Sequence, residues 1–156
     1  MPEFQATKGI EYKMKETKKT GSFDGVWERI AMGEQEDFRS KIGLEILESR
    51  AGYAKGQIVL KPWHMNVLGI VHGGVLFTLA DTVSGTAACA ERDYAVPTVN
   101  GSINYLRAGK NTSRLIAEAE EIKNGASFSV CNCRIYDDRE NLLATTTMTF
   151  YHLMPR

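Results

Sequence analysis

Two glycines and one carboxylate have the types and the spacing that chemistry would need. Gly73 and Gly74 stand at the start of a long apolar segment, and between Gly73 and Ala90 the only ionisable side chains are Asp81 and Cys89. Burying a lone carboxylate is costly, so such a group is usually paired, protonated or functional. Asp81 is therefore either a satisfied core acid or part of a reaction site.

The glycine pair predicts a place where a carbonyl group can be polarised. The first N–H groups of a helix have no partner within the helix and lie at the positive end of its dipole. Glycine has no Cβ, so a substrate carbonyl can approach the backbone of Gly73 closely. Such a helix start is suited to bind an oxyanion. The structural alternative is a pair of glycines that merely begins a helix.

The spacing of these residues predicts a second subunit. Asp81 follows Gly74 by seven positions, so both lie on one helical stripe, separated by roughly 10 Å along the axis. A carbonyl held at Gly73 is then too far from Asp81 of the same chain. If both groups act on one substrate, Asp81 must come from a partner whose helix runs antiparallel alongside, and the dimer has two equivalent sites at its interface.

The elements that position these residues alternate in a simple order. Two strands come first, then the apolar helix, then four more strands joined by short turns. We expect strands at 42–48, 57–60, 98–106, 115–122, 127–136 and 142–153. The helix should run from Gly73 to near residues 91–93. Period-2 strands with short turns favour an antiparallel sheet with one face against the helix. A helix that is apolar nearly all round needs further cover, most simply from a second subunit.

The composition bounds the class of protein. The chain has 156 residues, enough for one domain, and its 19 basic residues balance 19 acidic ones, which argues against a nucleic-acid partner. Three cysteines in apolar contexts favour reduced thiols. The stretch 67–90 is long enough to imitate a membrane span, but His72 and Asp81 lie within it. No signal peptide is evident. We expect a cytoplasmic protein that does not enter a membrane.

Domain organisation follows from the same pattern. We interpret residues 1–40 as an N-terminal extension with a short helix near 22–33, since its charged sequence shows no long apolar period. Residues 41–156 then form the single folded domain.

A specific resemblance rests on two stretches. The sequence NVLGIVHGG at 66–74, with Asp81 seven residues after its last glycine, resembles the hotdog-fold acyl-CoA thioesterases, and so does TVNGSINYLR at 98–107. The branch it looks like is that of the phenylacetate-degradation (PaaI-like) thioesterases and their mammalian relatives, over about residues 40 to 153. The resemblance implies an α+β hotdog domain, in which an antiparallel sheet of about six strands wraps one long central helix.

The resemblance also implies an activity. It is the hydrolysis of acyl- or aryl-CoA thioesters to free acid and coenzyme A, at a site shared between two subunits. No metal or organic cofactor is expected, because an oxyanion hole and one carboxylate suffice for the cleavage. Coenzyme A enters only as part of the substrate. The family usually forms homotetramers built from two dimers. The acyl group and the packing of the tetramer stay open.

Individual roles follow from the matching positions. The Gly73 N–H would polarise the thioester carbonyl, and Asp81 of the other subunit would act either as general base or as nucleophile. Asn66 would help to position the water or the carbonyl, and His72 would brace the loop. Thr98 would aid the attacking water, although in regular alternation it shares a face with the polar residues of its strand.

Further residues are candidates for substrate binding. Gly74 lies beside the expected carbonyl position, and Phe77 is a candidate for the wall of an acyl tunnel. Arg107, Lys110 and Arg114 cluster around a turn and are candidates for contacts with the phosphates of coenzyme A. A solvated turn is the alternative for these three.

Two rival functions remain at this point. A non-catalytic acyl-CoA-binding module would keep Gly73 but would not need Asp81 in an apolar helix. A hydratase or dehydratase would use His72 with Asp81 to move a proton on carbon, and a test for crotonyl-CoA hydration would separate it from a hydrolase.

Overall fold

The computed structural model describes residues 36–153. Its elements, in chain order, are helix α1 (Phe38–Lys41), strands β1 (Leu44–Arg50) and β2 (Tyr53–Val59), a 3-10 turn (Pro62–His64), helix α2 (Gly73–Cys89), and strands β3 (Thr98–Tyr105), β4 (Arg114–Asn124), β5 (Phe128–Asp137) and β6 (Leu142–Tyr151). The helix predicted near 22–33 lies outside the described residues. The predicted domain boundary after residue 40 falls within α1 and stays a prediction.

The six strands form one antiparallel sheet in the order β1-β2-β4-β5-β6-β3. Helix α2 has 17 residues and lies against one face of this sheet, with Leu76, Leu79 and Val83 buried. Burial of such side chains stabilises the fold by about 1.5–3 kcal/mol each. The prediction of a six-stranded antiparallel sheet around one long helix is confirmed.

Strand β2 begins earlier than the sequence pattern predicts. The pattern indicates a strand only from residue 57, whereas β2 starts at Tyr53 and buries Ala54 and Gly56. Both are small residues with low strand propensity, so they give a weak signal. They are small because α2 crosses here: a Cβ on Gly56 would stand 2.7 Å from Val83 Cγ2. Tertiary packing explains what local propensity did not.

Strand β3 lies at the edge of the sheet and contains a bulge. Thr98 stands opposite Phe150, but Asn100 stands opposite Thr149, so Val99 is an extra residue between the two pairs. A bulge re-aims the side chains on one side of it. Thr98 therefore shares the inner face with buried Phe150, whereas regular alternation predicted that it shares the outer face with Asn100. The bulge therefore turns Thr98 to the face that holds α2, which regular alternation along the strand does not indicate.

Two of the thiols are inert. Cys131 and Cys133 are buried in β5, and burial raises the pKa of each to about 12. Thiols that stay protonated are poor nucleophiles and poor metal ligands. Within residues 36–153 no group of three or more His, Cys, Asp or Glu side chains is placed to hold a metal ion. In the same part of the chain, no helix has the length and hydropathy that a membrane crossing would require.

Candidate active site

The loop that leads into α2 is organised by Asn66. The Asn66 N–H donates to the carbonyl of Ile70, and the Gly69 N–H donates back to the carbonyl of Asn66. Gly69 has a φ of 69°, which favours glycine. Asn66 Oδ1 accepts from the Leu68 N–H at 2.9 Å and from the Ile70 N–H at 3.4 Å. These two donors identify the Oδ1 atom, and among residues 36–153 no group accepts from the Nδ2 amide, so its two hydrogens are open to a ligand.

Two backbone hydrogen bonds fix this loop to the rest of the domain. The Val71 N–H donates to the carbonyl of Gly109 at 3.0 Å, and the His72 N–H donates to the carbonyl of His64 at 2.9 Å. Gly109 has no room for a side chain, because a Cβ there would lie 2.8 Å from Val71 Cγ2. The start of α2 is therefore held in one place by the body of the domain.

At the start of α2 one backbone donor is left without a partner. His72 is the N-cap, and its Nδ1 accepts from the Gly74 N–H at 2.9 Å. The His72 carbonyl accepts from the Val75 N–H at 2.9 Å. Among the described residues, none accepts from the Gly73 N–H. The sequence predicts that this N–H binds the carbonyl oxygen of a substrate. The next two N–H groups, of Gly74 and Val75, both donate to His72.

The same hydrogen bond defines the tautomer of His72. Because Nδ1 accepts a hydrogen bond, the proton of the neutral ring lies on Nε2. The side chain is exposed, so a ligand can reach this N–H. His72 thus caps the start of α2 and offers a second donor near Gly73.

Asp81 and Thr98 come together at mid-helix. The Thr98 hydroxyl donates to Asp81 Oδ1 at 2.8 Å, which the bulge at Val99 makes possible. Asp81 is half-buried, and no Lys, Arg or His of residues 36–153 lies within ion-pair distance of it. A carboxylate held by one hydroxyl keeps lone pairs for a water or a substrate.

The two groups of candidate residues are separated on one chain. Gly73 and Asp81 lie eight positions apart on α2, roughly 12 Å along its axis. Phe77 lies between them, half-buried, and a Cβ on Gly101 of β3 would stand 2.9 Å from the tip of its ring. The stripe formed by Gly73, Phe77 and Asp81 therefore faces the edge strand β3.

Arg139 lies beside the three cations that the sequence predicted for coenzyme A. Arg107 Nη1 donates to Asn141 Oδ1 at 3.2 Å. Lys110 is exposed, and its carbonyl accepts from Arg139 Nη2 at 3.0 Å. Arg114 begins β4 and is exposed. Sequence reasoning missed Arg139, because it is 29 positions from Lys110 and no local period connects them.

A cavity of about 270 Å³ opens beside the first turns of α2. Its walls are mostly apolar, whereas His72, Gly74 and Thr78 are its polar or backbone-exposing members. Phe77, the predicted wall residue, does not line it. The other lining residues are Phe38, Ile42, Trp63, Met65 and Val75.

The fold and this geometry define a class of protein. One long helix, opened by glycine and laid against a six-stranded antiparallel sheet, is the hotdog architecture. Among solved structures, the PaaI protein from the phenylacetic acid degradation operon of Escherichia coli superposes with a TM-score of 0.72 at 25% identity, over 82% of this chain and 93% of that one.

The sequence comparisons identify the family. The thioesterase superfamily model matches residues 68–144. The 1,4-dihydroxy-2-naphthoyl-CoA hydrolase of Listeria monocytogenes is 33% identical over 69% of this chain and 89% of its own length. Human acyl-coenzyme A thioesterase 13 is 29% identical over 64% of this chain and 72% of its own. The chain belongs to the thioesterase superfamily and is a thioester hydrolase. The predicted resemblance to the PaaI-like branch is confirmed.

Proposed function

We propose that the protein hydrolyses acyl- or aryl-CoA thioesters to the free acid and coenzyme A, at sites that combine Gly73 of one subunit with Asp81 of another. The observation that carries the proposal is a pair of groups on α2: among residues 36–153, no group accepts from the Gly73 N–H, and the Asp81 carboxylate has the Thr98 hydroxyl but no cation as a partner. The names of the human and E. coli relatives, both acyl-coenzyme A thioesterases, support this substrate class.

The Gly73 end of the helix stabilises the oxyanion. When water adds to the thioester carbonyl, its oxygen gains negative charge and accepts a stronger hydrogen bond from the Gly73 N–H. The positive end of the helix dipole favours the same charge. The His72 Nε2–H and the Asn66 amide are further donors at this end. Loss of one such donor typically lowers turnover by about 10²–10³-fold.

Asp81 activates the water in the general-base route. Its carboxylate takes a proton as the water oxygen forms a bond to the carbonyl carbon, and the proton passes to the thiolate as the C–S bond breaks. The hydroxyl of Thr98 holds one oxygen of Asp81 and leaves the other for the water. In the nucleophilic route Asp81 bonds to the carbonyl carbon and the C–S bond breaks, so that the coenzyme A thiolate leaves and a mixed anhydride remains. Water then cleaves the anhydride to the free acid and the Asp81 carboxylate, and its second proton passes to the thiolate. Both routes use the same residues.

The edge strand β3 is where we place the partner subunit. It pairs with β6 on one side only, and Val99 and Tyr105 of the strand, with Leu106 directly after it, are all more than half exposed. A free strand edge with exposed apolar side chains favours pairing with another chain. Since the stripe of Gly73 and Asp81 faces β3, a partner there would stand beside both groups. The tetramer of two such dimers follows from the family resemblance.

The cations near Lys110 suit the phosphates of coenzyme A. Gly109 is bonded to Val71, so the loop with Arg107 and Lys110 lies at the same end of the domain as Gly73. Arg139 joins them but is partly offset by Asp137, 3.5 Å away. Such charges on a rim chiefly raise association rates and affinity at low salt. We propose a cytoplasmic location, which fits the buried reduced thiols.

The first test is Asp81→Asn, assayed as thiol release from aromatic, medium-chain and long-chain acyl-CoAs. We expect turnover to fall by about 10²–10⁴-fold, with KM and melting temperature nearly unchanged, because the shape of the side chain is kept. Asp93→Asn, which alters an exposed acid after α2, is the matched control. If Asp81→Asn hydrolyses at the wild-type rate, the proposed mechanism is wrong.

The shared site is tested by mixing two inactive variants. Gly73→Pro removes the free N–H, and proline is favoured at the first position of a helix, where His72, at φ −63° and ψ 133°, already has the backbone that precedes proline. Its Cβ would stand 3.1–3.3 Å from the Tyr105 ring, which must shift by a few tenths of an ångström, so the melting temperature of this variant is measured first. Refolding Asp81→Asn with Gly73→Pro should recover about a quarter of wild-type activity, because half of the randomly formed dimers carry one intact site. No recovery from two folded variants would refute a site shared between subunits.

A further inference from the structure

We propose that Tyr105 is a positioning residue of the hydrolytic site, whose hydroxyl holds the backbone at Gly73 so that the free N–H points at the substrate oxygen. The inference rests on the proposed function, since it concerns the same donor. Neither the motif nor the helix pattern singles Tyr105 out, because it lies 32 positions from Gly73 at the end of β3.

Tyr105 contacts Gly73 in two ways. Its hydroxyl donates to the Gly73 carbonyl at 3.2 Å. Its ring lies against the glycine, because a Cβ on Gly73 would stand 3.1 Å from Tyr105 Oη, 3.2 Å from Cζ and 3.3 Å from Cε1. This close approach also explains why position 73 has no side chain.

The hydroxyl completes a clamp on one peptide plane. The peptide between Gly73 and Gly74 is held at its carbonyl by Tyr105 and at its N–H by His72 Nδ1, 2.9 Å away. Because a peptide is planar, hydrogen bonds at both ends fix its rotation. Glycine otherwise has wide backbone freedom. The clamp therefore restricts the torsions that set the direction of the Gly73 N–H.

The stability of the fold does not depend on the Tyr105 hydroxyl. The Gly73 carbonyl is the first of α2 and is in register to accept the regular helical hydrogen bond from four residues on, so the helix itself supplies a donor for it. In a single subunit Tyr105 is 55% exposed, and it lies at the edge where we place the partner. Removing its oxygen leaves no buried group without a partner, and we expect the fold to tolerate the loss.

Strand β3 thus contacts both the Asp81 carboxylate and the backbone of Gly73. Thr98 at its start holds Asp81, and Tyr105 at its end holds Gly73. One edge strand therefore orients the carboxylate and the backbone donor of the same chain, which serve the two different sites of the proposed dimer.

The test is Tyr105→Phe, which removes the oxygen and keeps the ring. We expect kcat to fall about tenfold, with the KM for the acyl-CoA and the melting temperature unchanged, because misaiming a donor affects the transition state more than substrate binding. Tyr151→Phe is the matched control, since that tyrosine is also exposed, at the far end of β6, and packs edge-on against Phe128.

A double-mutant comparison distinguishes positioning from packing. Combined with Asp81→Asn, Tyr105→Phe should still lower single-turnover rates about tenfold, because the two changes act on different groups. Combined with Gly73→Pro, it should lower the rate by much less than tenfold, because no N–H is left to aim. The melting temperatures of the single and double variants show whether the proline ring, 3.1 Å from Tyr105 Oη at its Cβ, has displaced the tyrosine. An equal loss in both backgrounds would overturn the inference.

The remaining outcomes separate this inference from the function on which it rests. Wild-type kcat in Tyr105→Phe, together with the collapse of Asp81→Asn, would overturn the role of Tyr105 and leave the hydrolase intact. A lower melting temperature with a raised KM would mark a packing role and also overturn the inference. If the wild type hydrolysed no thioester of the panel, the proposed function would fail, and the role of Tyr105 with it.

Discussion

The two ends of helix α2 treat their polar groups in opposite ways. Beyond its C-terminal end, Arg92 Nη2 donates to both oxygens of Glu121 at 2.9 and 3.0 Å, and the two side chains are only 12% and 7% exposed. At its N-terminal end, the Gly73 N–H and His72 Nε2–H have no partner within residues 36–153 and lie within reach of solvent. Groups that are paired and buried stabilise the fold, whereas donors left open are free to bind a ligand.

A second pair near the C-terminal end shows that proximity alone does not make a site. Ser129 Oγ and His152 Nε2 are 2.6 Å apart, the spacing of a nucleophile and its base. Both are nearly fully buried, and the ring of Tyr94 packs on His152 at 5.4 Å. No substrate can reach them without unfolding this part of the sheet. Their hydrogen bond belongs to the core, whereas the half-exposed pair of Thr98 and Asp81 is open to a water.

The largest effect that separates the two ends should come from Arg92→Met. It leaves Glu121 buried without its cation, and we expect the free energy of unfolding to fall by about 3–5 kcal/mol. The kcat of the folded enzyme should not change. Urea unfolding and single-turnover rates at low temperature measure the two quantities separately.

The matched control for that change is Lys55→Met. Lys55 forms an ion pair with Glu118 at 2.8 Å on the same sheet, but both side chains are more than a third exposed. Such a pair contributes at most about 1 kcal/mol. Equal losses in the two variants would mean that burial does not distinguish the Arg92 pair, and the contrast between paired and open groups would lose its energetic basis.

The next effect should appear in turnover and leave stability unchanged. Thr98→Ala removes the hydroxyl that holds Asp81, and we expect kcat to fall about tenfold, since the carboxylate loses one fixed orientation. Thr98→Ser should restore most of the rate. Thr147→Ala, on the exposed outer face of β6, is the control and should behave as wild type. A serine variant as slow as the alanine variant would assign the effect to the lost methyl group.

Local sequence patterns predict much of this fold, but they do not predict all of the site. Apolar periodicity predicts helix α2 and the succession of two strands before it and four after it along the chain. Helical rise alone predicts the separation of Gly73 from Asp81. Neither predicts the bulge at Val99, because a single extra residue has no local signature and yet decides which face Thr98 joins. Tyr105 and its partner meet only through the tertiary fold, and no sequence period connects them.

The smallest effect concerns pH and the loop that carries the open donors. Burial lowers the pKa of His64, nearby Lys61 lowers it further, and the backbone of Ile42 partly opposes both. Because the folded pKa is below the unfolded value of 6.5, the unfolded chain binds more protons as the pH falls. Stability should be complete above about pH 6.5 and decline as the pH falls towards the folded pKa of His64.

The titration of Asp138 lies at a lower pH and distinguishes the decline caused by His64 from unfolding by acid in general. Hydrogen bonds from the backbone and side chain of Ser113 lower the pKa of Asp138 from 3.8 to about 2. Its contribution is therefore present above pH 3.8 and is lost as the pH falls through 2. Urea midpoints should decrease in two steps, and His64→Gln should remove only the first. A single step in that variant and in the wild type alike would contradict the assignment.

The free donor at the start of α2 has a consequence for how this protein can vary. Every amino acid except proline carries a backbone N–H, so almost no inherited substitution at position 73 can delete the group itself. Substitutions can change only the contacts around this N–H, namely those with the Tyr105 ring that lies against position 73 and with the His72 imidazole that caps the helix. Substitutions at position 73 are therefore restricted by the room beside the Tyr105 ring and by the direction in which the N–H must point. A variant at this position can be inactive although it still carries the N–H and the Asp81 carboxylate.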